Sequence, residues 1–130
     1  MADAHADLVN VRYLVDDVAD SVEFYTRHFG FEVGISSSAF ADVTRGKLRL
    51  LLSGPESSAA RRMTDGQQPG PGGWNRIHLV VVDLDSEIAR LTAQGVRFRN
   101  EIVRGPGGAQ VLVIDPSGNL VELFQPALPR

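Results

Sequence analysis

Arg76, His78 and Glu122 are the side chains of this sequence with the most to offer chemistry. Arg76 and His78 sit two residues apart in a β-branched, aliphatic run at 75–82, so strand alternation puts them on one face. Glu122 lies in a second such run, 119–124. An imidazole or a carboxylate can hold a divalent metal or move a proton, whereas a guanidinium can only donate. Other reactive groups are missing. The chain has no cysteine, which excludes thiol nucleophiles, disulfides and thiolate metal sites. It has no Gly-x-Ser-x-Gly elbow and no phosphate-binding loop, because Gly105-Pro106-Gly107-Gly108 is a turn with no helix behind it. Asp16, Asp17, Asp83 and Asp85 flank strand-to-helix turns, where negative charge stabilises a helix start, and are read as structural.

The elements that must position these groups are written twice. The runs 9–15 and 75–82 each end on aspartate, at Asp16-Asp17 and at Asp83. Each is followed by a helical pattern, opening at Asp20-Ser21 in one copy and Asp85-Ser86 in the other. Gly30 and Gly95 are the stop signals. Strands are expected at 31–35, 39–44 and 47–52, and again at 96–98, 109–114 and 119–124. The closing turns are Arg45-Gly46 and Asp115-Pro116-Ser117-Gly118, and the second copy carries a short insertion at 104–108. The chain is therefore expected to be one α+β domain over 1–130. Module one spans 8–53, a Gly-, Pro-, Ser- and Gln-rich linker 54–73, and module two 74–126.

Composition narrows the partners. At 130 residues, 43% hydrophobic and 22% charged, the chain can bury one ordinary core. A net charge of -3 leaves no basic surplus for nucleic acid, and no apolar run approaches membrane-spanning length. Residues 1–5 are polar and acidic and lack the layout of a signal peptide, so a cytoplasmic location is expected.

The doubled landmarks resemble the vicinal oxygen chelate superfamily, which groups glyoxalase I, extradiol dioxygenases and bleomycin-resistance proteins. The matching pieces are Val15-Asp16-Asp17, Ser21, Phe24-Tyr25, Phe29-Gly30-Phe31, Asp83, Gly95-Val96, Asp115-Pro116-Ser117-Gly118-Asn119 and Glu122-Leu123. The resemblance implies paired βαβββ modules whose mixed sheets curl into a cupped pocket, often completed across a homodimer. It also implies a site for a divalent metal, with one ligand on the first and one on the last strand of each module. Counting back from Val15 and Val81 gives Asn10 and Arg76; counting on from Gly46 and Gly118 gives Leu50 and Glu122. Leucine has no lone pair, asparagine is a weak ligand and a guanidinium is a cation, so this quartet cannot hold a metal. A register shift of two would bring His78 to the ligand position, and that alternative stays open. Without a metal, an inward Glu122 needs another partner, and Arg76 is expected to supply it.

The resemblance then implies a pocket without metal or cofactor, closest to the antibiotic-binding branch of the family. Asn10, Arg12 and Leu14 are expected to line it from one first strand, and Arg76, His78 and Val80 from the other. The last strands would add Leu48, Leu50 and Leu52, and Leu120, Glu122 and Phe124. Phe40 and Trp74 are the expected aromatic walls, while Phe24, Tyr25, Phe29 and Phe31 are expected in the core. The expected function is sequestration of an antibiotic-like small molecule, bleomycin-like or enediyne-type, with no catalytic residue. The modest acidity would tolerate a cationic guest. The alternative is a glyoxalase-like lyase, isomerase or dioxygenase, either metal-dependent or using His78 or Glu122 for proton transfer.

Overall fold

A computed structural model describes residues 7–128, so residues 1–5, on which the signal-peptide reading rests, lie outside the described residues. The chain divides into two compact units, one up to Gly72 and one from Gly73 on. The first contains β1 (Val9–Leu14), α1 (Val18–Phe29), β2 (Glu32–Ser36), β3 (Phe40–Arg45) and β4 (Leu48–Ser53). Its sheet order is β1-β4-β3-β2, with β1 parallel to β4 and the other pairs antiparallel. A short 3-10 turn at Ser58–Ala60 follows and buries Ala60.

The second unit repeats the pattern with β5 (Arg76–Val80), α2 (Leu84–Ala93), β6 (Arg97–Phe98), β7 (Val103–Gly105), β8 (Gly108–Ile114) and β9 (Leu120–Pro126). Its order is β5-β9-β8-β6, with β5 parallel to β9 and β7 hydrogen-bonded to β8. The insertion is thus a hairpin: β7 and β8 pair up to Gly105 and Gly108, leaving Pro106 and Gly107 as the turn. Among the described residues no helix is long and apolar enough to cross a membrane.

Both helices begin earlier than the sequence pattern placed them. Asp17 is extended, and its carboxylate accepts from the Asp20 amide at 2.9 Å, so α1 starts at Val18. Ser21 lies inside the helix, fully buried, with its hydroxyl donating to the Asp17 carbonyl. Asp83 caps α2 likewise, accepting from the Ser86 amide at 3.1 Å and from its hydroxyl at 2.8 Å. In both copies the cap is the aspartate that ends the strand. Gly30 closes α1 at φ 69, where its amide donates back to the Tyr25 carbonyl, a conformation a Cβ would strain.

The buried face of each sheet is the one its helix covers. In the first unit Tyr13 pairs with Leu52 on neighbouring strands, and the Tyr13 ring meets Tyr25 of α1 edge-on at 6.5 Å. Tyr25 also contacts Phe24 and Phe31 edge-on, at 5.1 and 5.7 Å, and is fully buried. Phe24, Tyr25, Phe29 and Phe31 are all core, as expected. In the second unit Ile77, Leu79, Val111, Val113, Val121 and Leu123 form the equivalent buried face.

This register corrects three expected pocket residues, because Leu48, Leu50 and Leu52 all lie on the helix-covered face of β4. Leu50 pairs with Val11 and Val43, shares the helix-covered face with Leu52 and has no exposed surface. It belongs to the core of the first unit. The face turned away from the helix, here called the far face, instead carries Arg49, Leu51 and Ser53 from β4. The turn glycines misplaced the register because the two turns differ in length. β3 and β4 are joined by Gly46 and Lys47 alone, whereas the β8–β9 loop runs from Asp115 to Asn119. One residue of slip on a strand reverses the face.

Leu50→Ala should therefore destabilise the protein by about 2–5 kcal/mol through a core cavity, and Leu51→Ala by far less. Urea unfolding of the two variants compares them directly. At the cap of α2, hydrogen bonds from the Ser86 amide and hydroxyl hold the Asp83 carboxyl below its usual value. A lowered folded value means the stabilisation is present above the unfolded pKa and is lost as pH falls through the folded one. Asp83→Asn should flatten the acid limb of a stability–pH curve; an unchanged limb would show that the cap does not titrate with folding.

Candidate functional site

On the far face of the second unit, Arg76 and Glu122 meet. Arg76 Nε and Nη2 both donate to Glu122 Oε1, at 3.0 and 2.8 Å, while Nη1 donates to the Trp74 carbonyl at 3.1 Å. The other carboxylate oxygen, Oε2, lies 3.4 Å from His78 Nε2. Strand pairing explains this meeting. His78 stands directly opposite Glu122 across the β5–β9 pair, and Arg76 is the next same-face residue on β5. Phe124, two residues beyond Glu122, places its ring 5.0 Å from that of His78. Glu122 is buried, with Arg76 about one-third exposed and His78 about half. A buried carboxylate is costly alone, so the guanidinium is what makes this position tolerable.

Trp74 precedes β5 and remains 63% exposed. Its indole is covered on one side by Arg99, whose guanidinium carbon is 5.3 Å from the ring centroid. These two residues, with Gly73, Ile114, Gly118 and Leu120, line a cavity of about 270 Å³.

The far face of the first unit carries a second ion pair. Arg49 Nε donates to Asp42 Oδ2 at 2.6 Å, and Asp42 Oδ1 accepts from the Ile35 amide at 2.6 Å. Asp42 is almost fully buried. Arg49 Nη1 also reaches Asn10 Oδ1, at 3.5 Å. Arg12, exposed on the same face, donates to Ser53 Oγ at 2.8 Å. Phe40 lies opposite Ser53, half-buried. Asn10, Arg12 and Phe40 therefore share the first unit's far face, and Arg76, His78, Glu122 and Phe124 share the second's. Sequence reasoning missed Arg49, Asp42 and Arg99. Asp42 was the available signal, since a carboxylate inside the run 40–43 needs a partner. The two-residue turn at Gly46-Lys47 then brings Arg49 opposite Thr44, beside Asp42.

The sequence model of the Glyoxalase/Bleomycin resistance protein/Dioxygenase superfamily matches residues 7–123. The chain belongs to this superfamily. Similar solved structures include a lactoylglutathione lyase from Agrobacterium tumefaciens, at 23% identity and TM-score 0.73, covering 92% of this chain and 93% of that one. A superfamily member from Sphaerobacter thermophilus is 26% identical at TM-score 0.73, with 92% and 97% covered. TnmS3, an antibiotic binding protein from a Streptomyces species, is 23% identical at TM-score 0.71, with 97% and 100% covered. Curated protein sequences returned no match. At these identities the structural likeness concerns the fold, which is the superfamily's mixed-sheet α+β fold.

Members of the superfamily include metal-dependent enzymes, so the donor set has to be tested against a metal. His78 and Glu122 are the donors that converge in the second unit, and Arg76 already places its positive charge on Glu122. In the first unit the far-face residues in register with Arg76 and Glu122 are Asn10 and Leu51, with Arg49 alongside. No group of three or more His, Cys, Asp or Glu suited to a metal occurs among the described residues. A divalent cation would have to displace a guanidinium and accept a site short of donors. The residues present do not fit the metal.

Removing Arg76 should expose the cost of the buried carboxylate. Arg76→Met is expected to lower stability by about 1–3 kcal/mol, and Arg76→Met with Glu122→Leu to recover most of it. Chemical denaturation of the single and double variants checks this, and full stability of Arg76→Met alone would contradict it.

Proposed function

We propose that this superfamily member is a metal-free binding protein that sequesters an antibiotic-like natural product, bleomycin-like or enediyne-type, in an apolar pocket, acting in the cytoplasm as a homodimer. The observation that carries the proposal is the Arg76–Glu122 pair, which spends the one carboxylate of the expected metal quartet on a guanidinium. TnmS3, described as an antibiotic binding protein, supports the reading by showing that this fold serves such a role. The proposed ligand contacts are Asn10, Arg12 and Phe40 on the far face of the first unit, and Trp74, Arg76, His78, Glu122 and Phe124 in the second unit. Exposed Val9 on β1, Ile35 on β2 and Val80 on β5, all sheet-edge strands, support a second copy as the cover.

One observation favours an enzyme instead. His78 Nε2 beside Glu122 Oε2 is an imidazole–carboxylate contact able to hold or move a proton. It needs no metal, and the neighbour described as a lactoylglutathione lyase lends the reading weight.

Trp74 is the sole tryptophan, so its fluorescence reports one position. Titration with bleomycin-type and enediyne-type compounds should quench it, unaltered by chelator, with the compound recovered chemically unchanged. Sedimentation at micromolar concentration should give a dimer. Turnover abolished by His78→Ala would replace sequestration with the enzymatic reading.

A further inference from the structure

We infer that the cavity beside Trp74 is a subsite for a planar aromatic anion, a ring system bearing a carboxylate or phenolate, with Arg99 as its charge partner. The inference rests on the ligand-binding reading above and names the chemistry of the guest. Three observations carry it. Arg99 lies over the Trp74 ring, its guanidinium carbon 5.3 Å from the centroid, which holds the cation at the cavity wall with N–H groups able to donate to a ligand. No carboxylate among the described residues forms an ion pair with Arg99, whereas Arg76 and Arg49 are each held by one. The indole itself is 63% exposed, although its two neighbours in the cavity wall, Leu120 and Ile114, are buried and half-buried.

The local charge agrees. Arg97 pairs with Ile114 and so shares the far face with Arg76, and Arg99 lines the same cavity wall. Of these three guanidiniums Arg76 is paired with Glu122, whereas Arg97 and Arg99 form no ion pair with a carboxylate among the described residues. A chain that is net -3 overall is therefore cationic at this place. A flat cation would meet like charge at Arg99, while a flat anion would gain a charge-assisted, two-pronged hydrogen bond. The cavity of about 270 Å³ is just below the usual range of ligand clefts, which suits a compact ring system or the anionic end of a larger one. Gly72 and Gly73, at φ 106 and 94, take a backbone path closed to other residues and deliver Trp74 to the wall.

The test compares anthraquinone carboxylate, its neutral methyl ester and the cationic polycycle proflavine, by calorimetry and Trp74 quenching. The carboxylate should bind roughly tenfold or more tighter than the ester, and its affinity should fall with added salt. Arg99→Met should bring the carboxylate down to the ester's affinity and leave the ester unchanged. Trp74→Phe should weaken both. Equal or tighter binding of ester or proflavine, with Arg99→Met indifferent, would overturn the anion subsite while leaving a ligand-binding protein. Failure of every compound here, together with the antibiotics, would overturn both.

Discussion

In each unit the first strand lies parallel beside the last, and most of the molecule follows from that pairing. Two parallel neighbours cannot be joined by a tight turn, so the chain must cross over, and it does so through a helix. The helix covers one face of the sheet and dictates which alternate residues are apolar. Tyr13, Leu50 and Leu52 go beneath α1; Ile77, Leu79 and Leu123 go to the buried face of the second unit. The residues between them have no helix to face, and these are where the unusual side chains collect.

Parallel pairing also sets which charges can meet. His78 opposite Glu122 is a consequence of the β5–β9 register, and Arg76 follows one same-face step away. The first unit reaches a similar arrangement by another route, with Asp42 on β3 and Arg49 on β4 joined across an antiparallel pair. Each far face thus holds a buried carboxylate neutralised by an arginine. In superfamily members that use a metal, a divalent cation does the neutralising. Here a guanidinium occupies that electrostatic role, and a guanidinium has no vacant coordination position to offer a substrate. That exchange of a metal for a guanidinium is what motivates the binding role proposed above.

The repeat, the strand and helix order and the core aromatics were legible in the sequence because they depend on periodicity and turn chemistry. The Arg76–Glu122 meeting was legible too, since Val15 and Val81 place the first strands in common register and alternation does the rest. Helix starts were displaced because more than one aspartate stood near each candidate cap, and only backbone geometry selected Asp17 and Asp83.

What the sequence determined by itself was local: apolar alternation, caps, turn types, and the poverty of metal donors at the expected positions. What tertiary structure decided was register between strands distant in sequence, and every consequence of it. Leu50 moved to the core because a two-residue turn and a five-residue loop were measured with one ruler, and a single-residue slip turns a side chain through the sheet. Arg49 on Asp42, and Arg99 on Trp74, depend on approach between segments that no local pattern encodes. Side-chain identity is written residue by residue, but the partner of a charge is chosen by which strand lies next to it.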